Sequence, residues 1–153
     1  MNIETVLKVT KNTTLKEKTL VNILYTANRI NDMLEQTLAG YRLLPQHYNI
    51  LRILRGKHPE AVSMGDIKKV MLDKNPDLTR LCTKMLSSGL ILKGANTTNK
   101  RQQLVTISTK GLELLESLNE KITQLHNHSI GISDDKLEIL NDLLDQSRIN
   151  WEQ

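Results

Sequence analysis

Arg80 and Lys84 lie four residues apart in the segment "NPDLTRLCTKMLSSG", with Thr79 and Thr83 beside them. Residues four apart share a helix face. At about 100° per residue, Arg80, Thr83, Lys84 and Ser87 fall on one side of a helix, with Thr79 at its boundary. Leu78, Leu81, Cys82, Met85 and Leu86 fall on the other. A guanidinium can pair two-pronged with guanine in a DNA major groove, while ammonium and hydroxyl groups meet phosphates or either base type. An ordinary amphipathic surface helix has the same wheel. A second feature is therefore needed.

Lys100 and Arg101 supply it. They follow the polar run Asn96, Thr97, Thr98 and Asn99, between the apolar stretches "LILKG" and "LVTIS". This pattern predicts a β-hairpin with an over-long polar tip. A hairpin beside a groove-reading helix overhangs the flanking minor groove, where a narrow A·T tract enhances the negative potential that attracts Arg. Lys100 and Arg101 are the cations placed to enter or clamp it.

Charge is concentrated in the same region. From Ile67 to Arg101 there are eight cations (Lys68, Lys69, Lys74, Arg80, Lys84, Lys93, Lys100 and Arg101) against Asp73 and Asp77. That local +6 exceeds the +4 of the whole 153-residue chain, so the remainder is net acidic. A basic block of this kind attracts polyanions more than an evenly basic surface does.

Other chemistries find little support. The seven glycines form no phosphate-cradling loop. Glu113 and Glu116 show ordinary helical surface spacing, and no nucleophile stands with a base, so no enzyme activity is expected. His126 and His128 are two apart and do not share a helix face, while His47 and His58 lie far away in sequence, so neither metal nor cofactor is expected. Cys82, the single cysteine, excludes an internal disulfide and falls on the apolar side of its helix, as a core residue would. No apolar run reaches the ~20 residues of a membrane span, and Met1–Glu4 has no signal-peptide character, so a soluble cytoplasmic protein is expected.

The positioning elements read as helices. Ile3, Val6 and Leu7 make a short helical piece. Thr14-Leu15-Lys16-Glu17 has capping-box spacing and opens a long amphipathic helix through Leu20, Leu24, Ala27, Leu34 and Leu38, ending near Ala39-Gly40. Pro45 opens a second helix, carrying Ile50, Leu51 and Leu54 and closed by Gly56 to Pro59. Ser63 opens a third, with Ile67, and Asn75-Pro76 a fourth running to Ser88, with Gly89 as its C′ residue. After the hairpin, Ser108-Thr109 starts a long helix through Leu112, Leu115, Leu118, Ile122 and Leu125. Ser133-Asp134-Asp135 starts the last, with Leu137, Leu140 and Leu144. The fold class is mainly α with a small β-hairpin wing: a winged helix-turn-helix flanked by N- and C-terminal helices. Those terminal helices carry more apolar stripe than a lobe of roughly 70 residues can cover, which points to a homodimer as the commonest solution.

"LPQHYNILRILR", "NPDLTRLCTKMLSSGLI" and "NKRQQLVTISTKGLELL" resemble the multiple-antibiotic-resistance (MarR) family of bacterial winged-helix regulators. The resemblance covers about Leu44 to Leu115 in motif and the remainder as helix layout. It implies a homodimer with interleaved terminal helices beneath two DNA-binding lobes, and a small-molecule effector that changes lobe spacing. The family's aspartate before the basic pair of the wing is Asn99 here, which leaves Arg101 less firmly oriented.

The expectation is a dimeric, sequence-specific regulator of double-stranded DNA, acting as a repressor on a pseudo-palindromic operator. Residues 42–109 form the DNA-binding lobe, and 1–41 with 110–153 the dimerisation region. Arg80 and Lys84, with Thr79 and Thr83, are assigned to the major groove, Arg101 to the minor groove, and Lys100, Lys68 and Lys69 to phosphates. Tyr25, Tyr41, Tyr48 and Trp151 are the scarce aromatics available to an effector pocket near the lobe, although packing explains each of them. The alternative is a winged-helix protein-interaction module that docks its basic face on an acidic partner. It differs in having no sequence preference for DNA.

Overall fold

The computed structural model describes residues 2–7, 13–73, 76–94, 103–149 and 151. Its elements, in order, are α1 (Ile3–Leu7), α2 (Leu15–Ala39), α3 (Pro45–Lys57), β1 (Val62–Ser63), α4 (Met64–Val70), α5 (Leu78–Ser87), β2 (Ile91–Gly94), β3 (Leu104–Ile107), α6 (Thr109–Ser129) and α7 (Asp134–Ser147). This is a mainly helical winged helix-turn-helix with a small antiparallel sheet.

Helix starts follow the side chains able to satisfy free backbone N–H groups. At α2, Thr14 N donates to Glu17 Oε2 (2.8 Å) and Glu17 N donates to Thr14 Oγ1 (3.2 Å), a complete capping box. Pro45 sits at the start of α3. Ser63 caps α4 by accepting from Asp66 N (3.1 Å). One expected boundary moves, and the expected end of α2 near Ala39-Gly40 holds. The helix expected from Pro76 begins at Leu78, because the Asp77 carboxylate accepts from Arg80 N at 3.1 Å and captures the N-cap. At the end of α2, Gly40 keeps right-handed backbone and the chain reverses at Arg42, with φ of 55°.

The sheet also has one strand more than the expected hairpin. β2 pairs with β3 in the register Ile91 to Ile107 and Gly94 to Leu104, and β1 covers the other edge of β3 through Val62 to Val105. The order is β1-β3-β2. Two residues are too few to show a strand period.

One core joins the lobe to the long helices. His47, Ile50, Leu51 and Leu54 of α3, Leu81, Cys82 and Met85 of α5, Val105 and Ile107 of β3, and Leu115, Leu118 and Ile122 of α6 are buried. Leu38 of α2 is fully buried among them. By contrast, α7 buries none of its residues, and the first half of α2 leaves Leu15, Leu20 and Leu24 exposed.

The turn that ends α5 and the start of α6 approach closely. α5 ends in a Schellman turn: Gly89, at φ of 74°, has its N–H on Leu86 O, and Leu90 N donates to Met85 O (both 3.0 Å). Ser108 N donates to Leu90 O (3.1 Å), and its hydroxyl donates to Gly89 O (2.7 Å) while accepting from Gly111 N (3.0 Å). Gly111 lies against this turn. A Cβ there would collide with Leu90 O and stand 2.8 Å from Ile107 Cγ1. Gly56 of α3, in contrast, faces open space. Gly111→Ala is therefore expected to destabilise the fold by about 1–3 kcal/mol despite alanine's better helix propensity. Gly56→Ala should stabilise it by about 0.5 kcal/mol. Urea unfolding midpoints of the two variants check the opposite signs.

Candidate nucleic-acid interface

α4 and α5 present the two helices of the expected helix-turn-helix. The wheel reading of α5 matches its burial: Leu78, Leu81, Cys82 and Met85 are buried, while Thr79, Arg80, Thr83, Lys84 and Ser87 are exposed. Thr79, Arg80, Thr83 and Lys84, the residues assigned to the major groove, are thus exposed on a helix held from behind by the core and at its C-terminus by the Schellman turn.

The cations differ in what holds them. Arg80 Nε lies 3.6 Å from Asp77 Oδ2, the residue that caps its own helix. Both side chains are mostly exposed, and such a pair stabilises by at most about 1 kcal/mol, so it orients the guanidinium without withholding it. Lys69 Nζ is 2.8 Å from Asp66 Oδ1. This hydrogen bond and its charge raise the Lys69 pKa, and the same partner, followed by Ser63, lowers that of Asp66. Lys68 and Lys84 make no ion pair among the described residues, so their ammonium groups are the freer ones for phosphates. The wing cations Lys100 and Arg101 lie outside the described residues. β2 and β3 are paired out to Gly94 and Leu104, and Lys100 and Arg101 lie between these two residues in sequence.

Behind the exposed face lies a residue whose role sequence reasoning did not identify. His47 is buried in the first turn of α3. Its Nδ1 accepts from Leu44 N at 3.0 Å, so the ring proton sits on Nε2, which is buried without a partner. Burial, and then the charges of Lys84 and Arg80, hold the His47 pKa below its ordinary value of 6.5. The imidazole is neutral at pH 7. The signal was available, because His47, Ile50, Leu51 and Leu54 form one buried helical stripe.

Cys82 is buried in the core face of α5, and burial pushes its thiol pKa up to about 11. A thiol held protonated is a poor nucleophile, so the core reading accounts for it. Among the described residues, no three His, Cys, Asp or Glu side chains cluster as metal ligands, and no helix is long and apolar enough to cross a membrane. Of the aromatics, Tyr41 carries Lys121 Nζ at 5.0 Å from its ring centroid and Tyr48 carries Arg52 at 5.9 Å, whereas Trp151 is exposed.

Comparison with solved structures agrees with this architecture. A MarR transcription factor from Planctomyces limnophilus is 29% identical, with a TM-score of 0.69 over 89% of this chain and 99% of its own. The chain has the MarR-family winged-helix fold. A mutant MarR from E. coli complexed with operator DNA, 22% identical, superposes with a TM-score of 0.73 over 82% of this chain and 89% of its own. BpsR of Bordetella bronchiseptica, whose DNA binding is regulated by 6-hydroxynicotinic acid, is 17% identical, with a TM-score of 0.78 over 91% and 99%. No protein-family model and no curated protein sequence matches the chain.

The His47 environment has a pH signature. Its lowered folded pKa means that the unfolded chain binds the proton more readily, so this contribution is complete above pH 6.5 and is lost as pH falls through the folded value. His47→Gln retains an acceptor for Leu44 N but cannot titrate. Its stability should therefore decline less between pH 7.5 and pH 5 than that of the wild type, as measured by urea midpoints.

Proposed function

We propose that this MarR-type protein is a sequence-specific regulator of double-stranded DNA, working in the bacterial cytoplasm as a homodimeric repressor. The single observation that carries the reading is α5: a helix with a buried apolar face and an exposed face bearing Thr79, Arg80, Thr83 and Lys84. Residues near the N-terminus of such a helix reach base edges. Arg80 reads a guanine, Lys84 and the two threonines support it, and Lys68, helped by Lys69, holds phosphate. Lys100 and Arg101 reach the minor groove from the wing.

The terminal helices support the dimer. A 14-residue helix is marginal in water unless its apolar face is covered. In one chain, α7 leaves Ile139, Leu140 and Leu143 exposed, as α2 leaves Leu20 and Leu24. A second copy brings these faces together across a two-fold axis and places the two lobes, residues 42–109, on half-sites roughly 10 bp apart. Residues 1–41 and 110–153 are then the dimerisation region. An effector that changes the lobe spacing releases the DNA, in line with the ligand-regulated DNA binding of BpsR.

The test uses fluorescence anisotropy on a duplex enriched from a randomised pool by the wild-type protein. Arg80→Ala is expected to cost about 1–3 kcal/mol and to relax base preference at one position per half-site. Lys68→Ala should weaken all duplexes alike and reduce the salt slope by about one per site contacted. Unchanged affinity in Arg80→Ala would remove α5 from the recognition role.

A further inference from the structure

From Leu78 to Leu112 the chain carries no Asp or Glu, while Arg80, Lys84, Lys93, Lys100, Arg101 and Lys110 fall in the same stretch. Asp77 stands immediately before it, at the N-cap of the helix proposed to enter the groove, and its side chain is mostly exposed. Phosphates repel a carboxylate in that place, so its charge needs a reason. Capping alone does not supply one. Asn and Ser cap a helix about as well as Asp and carry no charge.

The second carboxylate oxygen supplies the reason. Asp77 is fixed to α5 twice: its main-chain O accepts from Leu81 N at 3.0 Å, and its Oδ1 accepts from Arg80 N at 3.1 Å. Its Oδ2 then stands 3.6 Å from Arg80 Nε, at the side edge of the guanidinium. This leaves the two Nη groups at the far end to meet guanine O6 and N7 together. A free arginine must give up rotamer freedom to make that contact, and here part of the ordering precedes the DNA. When DNA excludes water from the pair, the attraction between Asp77 and Arg80 strengthens. Asp77 repels the phosphates of every duplex, and only a guanine placed for Arg80 recovers the loss.

We propose that Asp77 is a positioning residue for base recognition: it holds Arg80 by Nε for end-on pairing with guanine, and it raises sequence preference while lowering affinity for DNA in general. The inference rests on the DNA-reading role proposed for α5.

The experiment measures, by fluorescence anisotropy at fixed salt, binding of the full-length wild type, Asp77→Asn and Asp77→Ser to the pool-enriched duplex and its scrambled counterpart. Both variants keep a capping oxygen, so their urea midpoints should match that of the wild type. Each should bind the scrambled duplex about twofold tighter or more, having lost a charge that repels phosphate. Preference for the enriched duplex should fall by about tenfold, at the base position that Arg80→Ala relaxes. In the Arg80→Ala background, Asp77→Asn should change preference by less than about twofold. That arm separates positioning from direct contact, because a carboxylate can itself accept from cytosine N4. A full effect without Arg80 would overturn the proposal in favour of direct reading. Lower midpoints with weaker binding to both duplexes would make Asp77 a cap alone, and unchanged preference would overturn the proposal outright. A wild type that binds both duplexes equally would refute the DNA-reading role itself, and the proposal with it.

Discussion

The Ser108 hydroxyl holds the molecule together at its most consequential point. It donates to Gly89 O just after α5 and accepts from Gly111 N at the start of α6, so one oxygen ties the end of α5 to the long helix of the scaffold. The backbone bond from Ser108 N to Leu90 O and the Lys110 bond to Ser88 O close the same joint. Gly111 must lack a side chain for these pieces to approach. α5 therefore cannot turn independently of α6. Whatever sets the position of α6 also sets the direction in which Arg80 and Lys84 face.

That coupling explains how the apolar surface is divided. Inside the lobe, α3, α5, β3 and the middle of α6 bury one another's side chains nearly completely. Outside it, α7 and the first half of α2 keep leucines and isoleucines in solvent. A second copy covering those faces would fix two α6 helices relative to each other and, through the Ser108 joint, two α5 helices as well. A cleft of about 390 Å³ lies against this joint, with Lys110 of α6 and Lys84 of α5 in its lining.

Much of this was legible in the chain. The Thr14/Glu17 pair marks the start of α2, the two-faced wheel of α5 matches its burial, and Gly89 sits where a left-handed residue is required. The features that escaped depend on contacts distant in sequence or on a choice between local options. β1 is two residues long and exists because β3 offers an edge. Asn75 and Asp77 are both competent caps for α5, and only the reach of Asp77 Oδ1 to Arg80 N decides between them. Gly40 invites a left-handed turn that Arg42 makes instead. His47 stood on an apolar stripe with the spacing of a core residue, yet its unpartnered Nε2 and its proximity to Lys84 and Lys110 emerge only when α3, α5 and α6 are packed.

In the proposed function, the exposed face of α5 reads DNA sequence. The most direct measurement is the ratio of affinities for a pool-enriched duplex and its scrambled counterpart, by fluorescence anisotropy across a salt series. A preference of roughly a thousandfold or more that persists as salt rises is the predicted result. Equal affinities that vanish together at moderate salt would contradict it, reducing the basic block to a general polyanion surface.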